Sequence, residues 1–184
     1  MPSRTRVKNS KRNLIRGAAL LLPATLLAAS ALAAPGGRSN CWMTGGGSIF
    51  STLYGGDPRL THGFELRCDL RRNSNLQVND HAVGGWDFHL LELTAAICID
   101  DPAITPNPPD ADFDTFVGEG VGRCKNVGGQ ERACVARWTF TDGGERGGCV
   151  RDTAIIEVRD FDDNVLISVS DGYVDCGNHQ AHSS

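Results

Sequence analysis

Seven cysteines, at positions 41, 68, 98, 124, 134, 149 and 176, are the residues of this chain whose chemistry depends most on where the fold puts them. No two stand as Cys-x-x-Cys, the spacing that a zinc ribbon or a thiol-redox motif uses. Disulfides are the other use of such a set, in a compartment oxidising enough to keep them. Among the histidines, His179 and His182 stand three apart beside Asn178, and His62 shares parity with the apolar Phe64 and Leu66. If the first and last strands are neighbours, His62, His179 and His182 make a three-imidazole set of zinc or copper type. Geometry limits that expectation, because residues three apart on an extended strand point to opposite faces unless the chain turns. Tail histidines that satisfy loop carbonyls are the plainer reading, and no cofactor is expected.

The carboxylates and hydroxyls carry less. Asp110, Asp112 and Asp114 alternate like the start of a calcium loop, but Thr115 stands where glycine is needed and Val121 where glutamate is needed. A non-helical calcium site from Asp100, Asp101, Asp110 and Asp112 stands second to an acidic, solvated loop. Ser48 follows three glycines outside any Gly-x-Ser-x-Gly elbow, and no spacing ties it to a histidine and an acid. No catalytic residue is therefore assigned.

The elements that hold these groups begin after a leader. Residues 1–33 have a basic start, an apolar run from Ala18 to Leu32 and the small-residue site Ala31-Leu32-Ala33. These are the three parts of a secretory signal, so cleavage is expected before Ala34, leaving residues 34–184 as one secreted domain, extracellular or periplasmic. The apolar run is broken by Pro23 and falls short of the ~20 residues of a spanning helix, so no membrane span is expected. Six of the 18 Lys and Arg residues lie in the leader while all 22 acids lie beyond it, which leaves 12 cations against 22 acids and a charge of −10. Counterion-release binding needs a clustered basic face, and the only lysine after the leader is Lys125; nucleic acid is excluded as the main partner.

Periodicity predicts strands throughout. Phe64, Leu66, Cys68 and Leu70 alternate with Glu65, Arg67, Asp69 and Arg71; Ala154, Ile156 and Val158 alternate with Thr153, Glu157 and Arg159. Val165, Ile167 and Val169 follow after the Asp- and Asn-rich segment Asp160 to Asn164, which marks a hairpin. Further strands are expected over Gly47 to Thr52, Asn75 to Asp80, Trp86 to Ile99 with a bulge at Leu90-Leu91, Thr115 to Arg123, Arg132 to Thr141 and Gly177 to His182. The prolines at 102, 106, 108 and 109 make Asp100 to Asp112 an extended loop. The expected fold is all-β: a single antiparallel β-sandwich of about nine short strands, with a closed meander β-barrel as the alternative.

Glycine at 118, 120 and 122 leaves one face of a strand bare, which weakens it unless something large covers it. Placing Cys124 opposite Cys134 sets Gly120 against Trp138 and Gly118 against Phe140, so that rings cover the glycines and a Cys124–Cys134 bridge forms. The competing pairing is Cys134 with Cys149. On the first choice Cys41 and Cys176 pair if the chain ends lie on adjacent strands, leaving Cys149 odd.

Thr44-Gly45-Gly46-Gly47-Ser48-Ile49-Phe50, Thr61-His62-Gly63-Phe64-Glu65-Leu66, Trp138-Thr139-Phe140-Thr141-Asp142, Asp152-Thr153-Ala154 and Gly177-Asn178-His179-Gln180-Ala181-His182 together resemble the bacterial post-COAP domain family. The resemblance covers essentially all of residues 34–184. It implies a secreted or surface β-domain without an assigned biochemical role, and a Cys68–Cys98 bridge at the family's own cysteine positions. The functional expectation is a non-enzymatic, disulfide-stabilised extracellular module that holds an unidentified ligand or surface partner. The alternative is a secreted hydrolase acting on carbohydrate or peptide, since sequence cannot choose among carboxylate pairs at the ~5 to 10 Å spacing of a glycosidase.

Overall fold

The computed structural model describes residues 40–50, 59–102, 104, 111–144 and 152–183, which contain strands and no helix. In chain order they are β1 (Trp42–Phe50), β2 (Arg59–Arg67), β3 (Asn75–Asp80), β4 (Trp86–Ile99), β5 (Thr115–Asn126), β6 (Glu131–Thr141), β7 (Thr153–Asp160), β8 (Val165–Tyr173) and β9 (Cys176–His182). Each strand from β1 to β7 pairs antiparallel with the next, and β9 returns to pair with β1, so that β8 and β9 are the two edges. The result is one sheet in the order β8-β7-β6-β5-β4-β3-β2-β1-β9, curled into a half-barrel. Alternation does the sorting: Leu60, His62, Phe64 and Leu66 of β2 point inward and are buried, as are Ala154, Ile156 and Val158 of β7. The leader and Cys149 lie outside the described residues.

Turn chemistry fixes the hairpins. Between β7 and β8, Asp160 Oδ1 accepts from the Asp162 and Asn164 backbone N–H groups at 3.0 and 2.9 Å, and Asp163 takes the left-handed conformation at φ 66°. Between β5 and β6, Asn126 Oδ1 accepts from Gln130 N at 2.9 Å while Gly129 turns at φ 81°, a conformation glycine adopts without a Cβ clash. That loop corrects the expected β5–β6 register. Cys124 faces Arg132, Cys134 faces Gly122, and Trp138 faces Gly118 rather than Gly120. The Cys124–Cys134 bridge is present, but it runs diagonally, with 6.1 Å between Cα atoms. The covering of glycine by an aromatic ring survives the shift: a Cβ on Gly118 would lie 2.5 Å from the Trp138 ring, and one on Gly120 3.4 Å from it.

A second bridge, Cys68–Cys98, ties the end of β2 to the end of β4 with 6.0 Å between Cα atoms. The expected Cys41–Cys176 pair is excluded by register. Cys176 faces Ser48 near the far end of β1, whereas Cys41 precedes the first residue of that strand, about seven residues or roughly 23 Å away at strand rise. The bulge at Leu90-Leu91 is present as a register shift between Leu90 and Glu92, with a second between Leu93 and Ala95.

Candidate functional site

The curl brings β9 against the ends of β6 and β7, and a seam forms there. His62 on β2 and His179 on β9 both point inward, 6% and 1% exposed, and their Nε2 atoms lie 2.8 Å apart. Phe64 stacks on Phe140 with ring centres 4.4 Å apart, and the His179 ring sits 5.0 and 5.3 Å from these two. β9 approaches β1 this closely because Gly45 carries no side chain: a Cβ there would lie 2.6 Å from the Asn178 carbonyl oxygen and 2.9 Å from His179 Cα. The N–H groups of β9 that face away from β1 are taken up by two buried carboxylates. Asp152 Oδ2 accepts from His179 N at 2.5 Å, and Asp142 Oδ2 accepts from Ala181 N at 2.8 Å. The second oxygens accept from Gly143 N and Gly144 N at 2.9 Å each, which locks the start of the β6–β7 loop to the seam.

The network assigns the histidine protons. His179 Nδ1 lies 3.2 Å from the Thr141 carbonyl, which can only accept, so Nδ1 carries hydrogen and Nε2 is left as an acceptor. His62 Nε2 then donates to it, and the His62 ring also faces the Gly47 backbone, whose contact opposes the effect of burial. Burial pushes the pKa of His62 down to about 4; burial, then the neighbouring His62, pushes that of His179 down to about 3. Both rings are neutral at physiological pH.

The three-imidazole set expected from the sequence is divided. β9 stays extended through His182, which therefore faces outward, its Nε2 2.8 Å from Thr44 Oγ1 and its ring stacked on Trp42 at 4.8 Å. Arg67 covers Trp42 from the β2 side at 5.0 Å. Two nitrogens on one tetrahedral zinc sit ~3.3 Å apart, so the 2.8 Å contact of His62 with His179 is a hydrogen bond with no room for an ion between. Among the described residues no group of three or more His, Cys, Asp or Glu is arranged to hold a metal. Of the aspartates weighed for calcium, Asp110 lies outside the described residues, and Asp101 gives its backbone N–H to the buried Asp114 at 2.9 Å. Ser48 Oγ accepts from Arg59 Nε and Nη2 at 2.9 and 2.6 Å.

Sequence reasoning missed the buried acids at strand ends. Asp160 binds Arg132 at 2.6 Å as well as its own turn, and the Arg132 guanidinium lies 4.8 Å over Trp86. Hydrogen bonds from Asn164, then from its turn and Arg132, hold the Asp160 carboxyl at about 2, while burial raises those of Asp80 and Asp114. The available signal was position: Asp80 and Asp160 close β3 and β7, and Asp114 immediately precedes β5.

The outer face of β4 to β7 is a different surface. Ile97, Val117, Thr139 and Ile155 are successive cross-strand partners, and Ile97 and Ile155 are 48% and 44% exposed. Beside this row runs a ladder of alternating charge, Glu119, Arg137, Glu157, closed by Arg137–Glu119 and Arg159–Glu157 contacts at 2.7 Å. On the other side stand Ile99 and Tyr173, 44% and 67% exposed. A shallow depression of about 300 Å³ lies along the row, between Ala95, Ile97, Arg137 and Ile155. No protein-family model, curated protein or solved structure matches this chain.

Proposed function

We propose that the chain is a non-enzymatic extracellular module that holds a protein partner against the outer face of β4 to β7. The observation that carries this reading is the row Ile97, Val117, Thr139 and Ile155, three apolar side chains and one threonine presented side by side on the sheet and bordered by charge. Water leaves such a row at a gain, and the bordering Glu119, Arg137 and Glu157 set register and exclude mismatched partners. Two disulfides fit export into an oxidising compartment. Among the described residues no helix is long and apolar enough to cross a membrane. The likeness of the motifs to the post-COAP family supports the same location. For the architecture, the meander alternative suits a strand order in which sequence neighbours are sheet neighbours.

The test is capture of exported and surface proteins of the producing cell on the immobilised chain, with the Ile97→Asp, Ile155→Asp double variant beside it. Both positions are exposed, so the variant should fold. A partner lost by at least tenfold on the variant supports the reading; the same captured set on both overturns it. Turnover of a glycan or peptide substrate, abolished by one carboxylate substitution, would decide for the secreted hydrolase instead.

A further inference from the structure

Cys41 is a buried free thiol, 6% exposed, in the same apolar cluster as Cys68 and Cys98. It does not stand alone there. The β1–β2 register pairs Trp42 with Arg67, and its next step places Cys41 directly opposite Cys68, with Cys68 N donating to the Cys41 carbonyl at 3.1 Å. Both side chains lie on the inner face, since Met43 and Leu66, the next inward pair, are fully buried. Directly opposed hydrogen-bonded residues have Cα atoms about 5.5 Å apart, inside the range a disulfide spans, and Cβ atoms up to about 5.5 Å apart, so that a bridge here needs the two strand ends to draw together by about 1 Å. Cys68 thus has two cysteine neighbours: Cys98, to which it is bonded, and Cys41, opposite it across the strand pair.

We propose that the Cys41 thiol exchanges with the Cys68–Cys98 disulfide, making these three residues a built-in thiol relay. The Cys41 thiolate attacks Cys68 Sγ, the Cys41–Cys68 bond forms, the Cys68–Cys98 bond breaks, and Cys98 leaves with the electron pair and takes up the proton that Cys41 lost. One disulfide and one thiol stand on each side, so no oxidant or reductant is consumed. Chain entropy does not choose between the two forms. Cys68–Cys98 spans 30 residues and Cys41–Cys68 spans 27, so the loop-closure terms are nearly equal. The exchange moves the thiol from the buried Cys41 to the half-buried Cys98, at the last turn of β4 before the Asp100 loop. It also trades the β2–β4 tie for a β1–β2 tie. In the exchanged form the chain presents, at that end of the half-barrel, a thiol that a partner's cysteine or disulfide can meet.

The test uses the folded, exported chain without reductant, held at pH 8.5, quenched in acid, alkylated with N-ethylmaleimide and mapped with trypsin under non-reducing conditions. The three cysteines fall in separate tryptic peptides, 39–59, 68–71 and 73–123. The expected result is a Cys41–Cys68 cross-linked peptide with the label on Cys98, in a fraction that grows with time toward equilibrium, beside the Cys68–Cys98 form labelled on Cys41. Label confined to Cys41 at all times overturns the proposal. Cys41→Ser must abolish the Cys98 label, and its persistence would assign the exchange to another thiol and overturn the relay. Cys98→Ser, checked for strand content by circular dichroism, must contain Cys41–Cys68 after air oxidation; a folded Cys98→Ser chain in which both thiols stay alkylatable overturns the geometry.

Discussion

The His62–His179 pair makes stability depend on pH in a window where most proteins are indifferent. In the unfolded chain each imidazole titrates near 6.5, and in the folded chain that of His62 is held down to about 4. Between these values the unfolded state binds a proton that the folded state refuses. Stability is therefore fully present above pH 6.5 and is lost as the pH falls toward 4. For His62 alone the linkage removes about 2 kcal/mol between pH 7 and pH 5 and about 3 kcal/mol over the whole window, at about 1.4 kcal/mol per unit. His179, held down to about 3, adds a similar amount in the same window, because repulsion between protonated rings makes the folded state refuse the second proton as well. Asp160, held at about 2, loses its contribution in a lower window, and Asp80 and Asp114, raised by burial, act in the opposite sense nearer their own range. Urea unfolding at pH 7, 6 and 5 measures the effect: with a slope of ~2 kcal/mol per molar, the midpoint should fall by about 2 M from pH 7 to pH 5 for the pair. The His62→Gln, His179→Gln double variant should show a much flatter dependence. A direct readout is nitrogen chemical shift, in which neither ring should titrate between pH 8 and pH 5. A wild-type midpoint unchanged at pH 5, or a buried ring that titrates near 6.5, refutes the reasoning.

Asp152→Ala should cost about 1 to 3 kcal/mol, because it strands the buried N–H groups of His179 and Gly143; amide exchange at both should accelerate while the β3–β4 amides keep their protection. Two glycine substitutions should separate in thermal melts. Gly118→Ala drives a methyl into the Trp138 ring and should destabilise by about 1 to 3 kcal/mol, whereas Gly63→Ala meets nothing within 4 Å and should be neutral or stabilising by a few tenths of a kcal/mol. Replacing Cys124 and Cys134 together by Ala should lower stability by about 2 to 3 kcal/mol, the loop-closure value for a separation of 10 residues, as read by denaturant unfolding.

Strand periodicity was legible wherever one face is buried and the other wet, as in β3, β4 and β7. The start of β1 was not. Its Gly45-Gly46-Gly47 run has low strand propensity, and only contact with β9 and β2, which lie far off in sequence, explains why side chains are excluded there. The β5–β6 register was missed by two residues because symmetry about the bridge was assumed, while the Asn126–Gly129 turn sets the pairing. The meeting of His62 and His179 followed from shared inward parity once first and last strands were placed side by side. The separation of His182 followed from the same parity argument applied within β9. The buried aspartates were illegible for a different reason: a carboxylate reads as solvated until its backbone N–H donors are known, and Asp142 finds Ala181 only 39 residues later.

The five motifs quoted from the sequence converge on the seam. Gly45 admits β9, His62 bonds His179, Phe64 and Phe140 stack, Asp142 and Asp152 hold the β9 backbone, and the Gly177-to-His182 segment is β9 itself. Each of these roles is spent on closing the half-barrel, with the imidazoles neutral, hydrogen-bonded and shut away from solvent. A motif of this kind reports a fold, because any chain that closes an edge strand in this way needs the same small residues, inward rings and carboxylates. Recognition of a partner has to lie where side chains are free to meet one. On the outer face of β4 to β7, Val117 and Ile155 lie outside the motifs, and Thr139 reaches that face because its neighbours Trp138 and Phe140 point inward. On the proposed reading, specificity would vary through Val117 and Ile155 while the seam, and with it the fold, is kept.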